Sequence, residues 1–331
     1  CGKNHRDHKK IKNMRSLPHF YFTETPIIKL EALSEKLQLN LFMKRDDAFS
    51  KAQGGNKARK LQYILYKAKV NGCNAVVTAG DINSNHNRAT ALMCASLGMK
   101  CKLVVHNDHP ELERLSMNAF ICRMSGAELI YCSKADVGPV MDKAMDDFKT
   151  DGCEPFYIWG GGHCLEGSYA YYEAAKNAIE NFNGNIDNVF FASGTGTTHA
   201  GLHVGFKIHS PSTKVLGISI ARPYDRGIRE IHKSVNELQK FLGKEVSEID
   251  EIMFFDKFIG NSYESIEKDV SNTIRRVCMN EGILLDPTYS GKAFNAMLKT
   301  LNNNFDEYQG KNILFWNTGG NFNLLAHRDE I

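Results

Sequence analysis

Strand-like apolar runs and amphipathic helical stretches take turns along nearly the whole chain, and this alternation restricts the fold more than any other feature. The runs at 40–45, 75–78, 102–105, 128–131, 156–159, 188–192, 215–220 and 312–316 read as strands. The stretches at 57–70, 84–97, 111–124, 140–150, 167–182, 198–208, 229–242, 263–280 and 291–301 read as helices. In the first of these, Leu61, Ile64, Leu65 and Ala68 recur at the i, i+3, i+4, i+7 spacing of one helical face. A run such as Ala75-Val76-Val77-Thr78 does not alternate apolar with polar, so both faces of its strand need cover, which a parallel sheet between helices provides. The expected fold class is therefore α/β, with two domains of parallel sheets flanked by helices. In such sheets ligands sit at the carboxyl ends of strands, where glycine-rich loops meet helix N-termini.

Composition narrows the function classes. A chain of 331 residues is long enough for two domains with cores of their own. Hydrophobic residues at 42% and charged residues at 24% are ordinary for a globular protein and argue against a disordered, collagen-like or coiled-coil chain. Forty-one Lys plus Arg against 38 Asp plus Glu leave +3, which supplies no electrostatic reason for a nucleic-acid partner. The chain lacks an apolar stretch long enough to span a membrane. Its nine cysteines include no CxxC pair, so neither a zinc site nor a thioredoxin-like motif is expected. They read as reduced thiols of a cytoplasmic protein, with an organelle-targeting segment ahead of Cys1 left open. Residues 1–15 are basic and polar and read as a flexible arm.

Five segments carry chemistry. Lys44-Arg45-Asp46-Asp47 precedes Gly54-Gly55-Asn56-Lys57-Ala58-Arg59-Lys60, where the glycines permit a tight turn, Asn56 is suited to cap a helix and Lys57 falls in its first turn. The partial positive charge there disfavours an ammonium ion and suits an amine that forms a Schiff base; a solvated surface lysine is the alternative. Thr78 to His86 joins a strand to a helix, with Ser84 as N-cap or catalytic hydroxyl and His86 as proton carrier or local hydrogen-bond partner. Ala192 to Gly201 sets hydroxyls around glycines in a nest for one phosphate, or forms a plain tight turn. That segment lacks the Gly-Lys-Ser/Thr ending of a nucleotide loop and fits GxGxxG poorly. Asp286-Pro287-Thr288-Tyr289-Ser290-Gly291-Lys292 and Asn317-Thr318-Gly319-Gly320 complete the set. An activated lysine and a phosphate cup without a nucleotide signature point to pyridoxal 5'-phosphate, and no metal is expected.

In this order, KRDD…GGNKARK, TAG…SNH, ASGTGTTHAG, LDPTYSGKA and NTGG resemble the D-cysteine desulfhydrase and 1-aminocyclopropane-1-carboxylate (ACC) deaminase family, from about Pro18 to Leu325. The resemblance implies the tryptophan synthase β-like fold (pyridoxal-phosphate fold type II) and a homodimer. It also implies a larger cofactor-binding domain from 16–55 and 166–331, a smaller one from 56–165, and a cofactor between them. By resemblance, Lys57 carries pyridoxal phosphate, Asn85 hydrogen-bonds its phenolic oxygen, and Gly194, Thr195, Gly196, Thr197 and Thr198 hold its phosphate. Thr318 faces the pyridine nitrogen; Ser84, Asn85 and His86 meet the substrate, as do His163, Tyr263 and Tyr289.

Within the family, ACC deaminases typically carry Glu after the tyrosine of the fourth motif and Gln at the place of His86. Ser290 and His86 bring this chain nearer to the desulfhydrases. His163-Cys164, where desulfhydrases have Ser-Asn, departs from the pattern and bears on the identity of the amino acid. The expected reaction is α,β-elimination of a small D-amino acid, D-cysteine foremost, to pyruvate, ammonia and sulfide. Lys57 or Ser84 would take the Cα proton, and Tyr289 would matter most for hydroxyl or chloride leaving groups. ACC ring opening, cleavage of L-cysteate or another D-amino acid, and cofactor binding without turnover are the alternatives.

Overall fold

The computed structural model describes residues 24–106, 116–246, 249–260, 265–328 and 330–331. The strands are β1 (Ile27–Lys29), β2 (Asn40–Arg45), β3 (Ala75–Gly80), β4 (Lys100–His106), β5 (Glu128–Cys132), β6 (Pro155–Ile158), β7 (Asn188–Ser193), β8 (Lys214–Ser219), β9 (Met253–Phe255) and β10 (Asn312–Asn317). The helices that carry the argument are α1 (Gly55–Val70), α2 (Asn85–Ser96), α3 (Val137–Thr150), α4 (Leu165–Asn181), α5 (Thr197–His209), α6 (Tyr224–Leu242), α7 (Lys268–Glu281) and α8 (Ser290–Asn303). Over the described residues the chain divides into two compact units, one of residues 49–167 and one of 24–48 with 168–331.

The smaller unit holds a four-stranded sheet in the order β5-β4-β3-β6, every pair parallel. Ala75, Val77 and Val104 pack against Met141, Ala144 and Phe148 of α3. The first five residues of β3 are all buried, as a strand covered on both faces requires.

The larger unit holds a six-stranded sheet in the order β1-β2-β10-β7-β8-β9. Successive residues feed opposite cores. Phe190 and Phe315 pack with Phe294 of α8 and Ile274 of α7, whereas Phe191 and Trp316 pack with Tyr171, Ala175 and Phe206 from α4 and α5. The α4–α5 contact depends on small residues, since a side chain at Gly201 would collide with the Ser168 carbonyl and Tyr171, and one at Gly205 with Ala175.

The expected parallel architecture needs one correction. β1 pairs antiparallel with β2 at the sheet edge, through Ile27 opposite Lys44. With only three residues it is too short to display a sequence period, and β9 at the other edge is equally short. The helix expected at 111–124 is described over Met117–Met124, and that at 263–280 over Lys268–Glu281; residues 111–115 and 263–264 lie outside the described residues, as does the 1–15 arm.

Candidate active site

In the smaller unit, β3 and the turn after it deliver the site to the start of α2. Ser84 is the N-cap: its hydroxyl accepts from Asn87 N at 3.2 Å and is buried. Gly80 must lack a side chain, because a Cβ would strike Ser84. Asn85 is oriented from behind. Its Oδ1 accepts from Arg88 Nη1 at 3.3 Å and Asn118 Nδ2 at 3.2 Å, which leaves the amide nitrogen as the side chain's donor. Arg88 also donates through Nη2 to the Gly54 carbonyl oxygen at 3.3 Å, so one buried guanidinium ties the start of α2 to the start of α1. Burial brings its pKa down to about 10, which still leaves a cation at neutral pH. Neither Arg88 nor Asn118 was singled out by the motifs.

His86 is a local hydrogen-bond partner. The Thr78 hydroxyl gives its one proton to the Ile158 carbonyl oxygen at 2.7 Å, so at 2.9 Å it accepts from His86 Nε2. Burial, reinforced by the charges of Lys57 and Lys60, holds the His86 pKa well below the histidine range and the ring neutral.

Lys57 lies in the first turn of α1, its Nζ within 3.4 Å of the Gly161 carbonyl oxygen. Its pKa is pushed down to about 8, and the cause is burial, where the sequence had suggested the helix terminus. The side chain as a whole is half-buried. Asn56 is not the cap: Gly54, at φ 84°, takes that place and Asn56 falls inside the helix. The chain turns here through positive φ at Ala52, Gln53, Gly54 and Gly55, which only backbone freedom at the glycines makes easy to continue.

His163 and Cys164 follow the single turn Gly160–Gly162. The Cys164 thiol is pushed up to about 12, chiefly by burial and then by Glu166, so it is a thiol and no nucleophile at neutral pH. Glu166 pairs with Lys67 at 2.5 Å. The eight cysteines among the described residues are free thiols.

In the larger unit, β7 ends at Ser193 and α5 begins at Thr197. Gly194, Thr195 and Gly196 make the turn, and Gly196 takes the N-cap position at φ 107° with no side chain to cover the first-turn N–H groups. Thr197 and Thr198 open the helix, both buried. An open helix start of this kind favours an anion.

At the end of β10, Asn317 Oδ1 accepts from Gly319 N at 3.1 Å, which shapes the turn that presents Thr318. A side chain at Gly320 would collide with Asp286. The Asp286 carboxylate is wholly buried and organises the LDPTYSG turn: Oδ2 accepts from Thr288 N at 3.1 Å and Tyr289 N at 2.9 Å, and Oδ1 from Ser290 N and Ser290 Oγ at 2.7 Å each. Burial raises its pKa while these bonds oppose the rise. Ser290 is 0% exposed, with its hydroxyl committed to Asp286. Tyr289 is half-buried against the core of this unit. Tyr263 lies outside the described residues.

The KRDD motif also finds its place here. Asp46 is buried and accepts from Thr25 Oγ1 at 2.7 Å, Tyr171 OH at 2.6 Å and Trp316 Nε1 at 2.8 Å, while Lys44 Nζ donates to the Thr25 carbonyl oxygen at 2.6 Å. These are bonds that join β2, α4 and β10, so the two residues serve the framework of the larger unit. Among the described residues no His, Cys, Asp and Glu cluster could hold a metal ion, and no helix is long and apolar enough to cross a membrane.

Comparison with solved structures agrees with this architecture. An ACC deaminase homologue superposes with a TM-score of 0.86 at 28% identity, covering 98% of each chain. The processed form of threonine deaminase isoform 2 from Solanum lycopersicum matches at TM-score 0.66 and 18% identity, over 98% of this chain and 88% of that one. A pyridoxal 5'-phosphate-dependent aspartate racemase matches at 0.68 and 16%, over 95% of each. The fold is that of the tryptophan synthase β-like, fold type II enzymes, and the cofactor is pyridoxal 5'-phosphate. With residues 20–319 matching its description, the chain belongs to the family of pyridoxal-phosphate dependent enzymes.

Proposed function

We propose that this enzyme catalyses α,β-elimination on a small D-amino acid bearing a β leaving group, with D-cysteine as the preferred substrate. The residues present suit the cofactor: a buried amine at Lys57, an amide donor at Asn85, an uncapped helix start at Gly196 and a hydroxyl at Thr318. In this reading Lys57 carries the cofactor and Gly194 to Thr198 hold its phosphate. Pyridoxal phosphate supplies the electron sink that accepts the pair left at Cα when its proton departs. Ser84, Asn85 and the first-turn N–H groups of α2 bind the substrate carboxylate. Lys57 Nζ takes the Cα proton, and its pKa near 8 leaves a useful free-amine fraction at neutral pH.

The observation that carries the elimination reading is the state of the titratable groups bearing on one another at Lys57. Lys60 and His86 are both driven towards their neutral forms by burial, and His86 Nε2–H is already given to Thr78. Such surroundings suit a leaving group that departs without a strong acid, as thiolate does. Tyr289 would assist poorer leaving groups.

ACC ring opening is the second reading. It is favoured by the likeness to an ACC deaminase homologue, and by the burial of Ser290, which weakens position 290 as a selector between the two substrates. A product assay over D-cysteine, L-cysteine, D-serine, L-cysteate and ACC separates the readings. We expect pyruvate and sulfide from D-cysteine. Absence of pyruvate from every β-substituted amino acid would sink the elimination, and α-ketobutyrate from ACC would establish the second reading.

A further inference from the structure

Arg222 stands against the glycine-rich turn that opens α5. Its Nη1 donates to the Thr195 carbonyl oxygen at 2.9 Å. Its backbone is pinned just beyond β8, where Arg222 N donates to the Ser219 hydroxyl at 3.0 Å and that hydroxyl donates back to the Arg222 carbonyl oxygen at 2.7 Å. Ser219 is wholly buried. On the same turn, Gly196 backs onto α6: a Cβ there would lie 3.4 Å from Ile231 and 3.5 Å from Glu230.

The consequence follows from peptide geometry. The Thr195–Gly196 bond is trans, and in a trans peptide the carbonyl and the following N–H point in opposite directions. A guanidinium that holds the Thr195 carbonyl therefore turns the Gly196 N–H to the other side of the turn. The clamp also sets a permanent cation beside a turn whose own dipoles already favour negative charge, with Glu230 and Arg226 as its charged neighbours.

We propose that Arg222 is a positioning residue for the cofactor's phosphate, acting through the Thr195 carbonyl to aim the Gly196 N–H. The inference rests on the reading of Gly194 to Thr198 as the phosphate cup. It is tested by titrating the cofactor-stripped chain with pyridoxal phosphate and with pyridoxal, which lacks the phosphate. Arg222→Gln is expected to weaken pyridoxal phosphate about tenfold and to leave pyridoxal unchanged. Arg222→Lys keeps the charge but loses the planar fork and is expected to fall between. Unchanged affinity for pyridoxal phosphate in Arg222→Gln, or equal losses for both ligands, would overturn the inference. A wild type that binds the two ligands equally would instead remove the phosphate cup itself, and the role of Arg222 with it.

Discussion

At the residue scale, burial decides the chemistry of Lys57. An amine with a pKa of about 8 is half free base at that pH and gains free base as pH rises, whereas an ordinary lysine is almost wholly protonated there. In the cofactor-free chain, acylation at Lys57, followed by mass spectrometry, should reach half its maximal rate near pH 8. A midpoint near pH 10 would show that burial does not set its state. Ser290 illustrates the opposite outcome. Its hydroxyl and backbone N–H both serve Asp286, so Ser290→Glu would press a second carboxylate against a buried one. The variant should lose about 2–4 kcal/mol of stability in urea denaturation. Unchanged stability would mean that the longer side chain escapes Asp286. That Lys57 stands in a first helical turn was legible from its glycines; that its amine is desolvated was not, because burial depends on chain segments distant in sequence.

At the element scale, the period of apolar residues located the long strands and helices, while short edge strands and caps escaped it. β2 and β7 match their expected runs closely, and β7 buries both faces. β1 and β9 have three residues apiece, too few for a period. Glycines separate into those that packing demands and those it does not. Gly201 of α5 meets Ser168 and Tyr171 of α4, whereas a Cβ at Gly138 in α3 would meet nothing. Gly138→Ala should therefore raise stability by about 0.5–1 kcal/mol, through helix propensity and a less flexible unfolded chain. Gly201→Ala should lower it by about 1–3 kcal/mol, as overpacking does. Thermal melts of the two variants check both signs, and a stabilised Gly201→Ala would show that α4 and α5 separate easily.

At the scale of the whole molecule, the cofactor should act as part of the stability of the folded chain. Ligand that binds only the native state adds RT ln(1 + [L]/Kd), about 2.7 kcal/mol at a hundredfold excess over Kd. Calorimetry with and without pyridoxal phosphate should show a melting temperature that climbs with cofactor concentration, and no climb would contradict binding to the native state alone. Strand–helix alternation, the order of the five motifs and the place of Lys57 in a first helical turn were all determined by the sequence itself, because each is local: a period, a spacing, a turn. The roles of Arg88, Asn118, Asp46 and Asp286, the neutral tautomer of His86 and the commitment of Ser290 were decided only in the tertiary structure. A hydrogen bond such as that from Trp316 to Asp46 joins residues 270 positions apart, and desolvation is set by everything packed around a group. No window of sequence contains either.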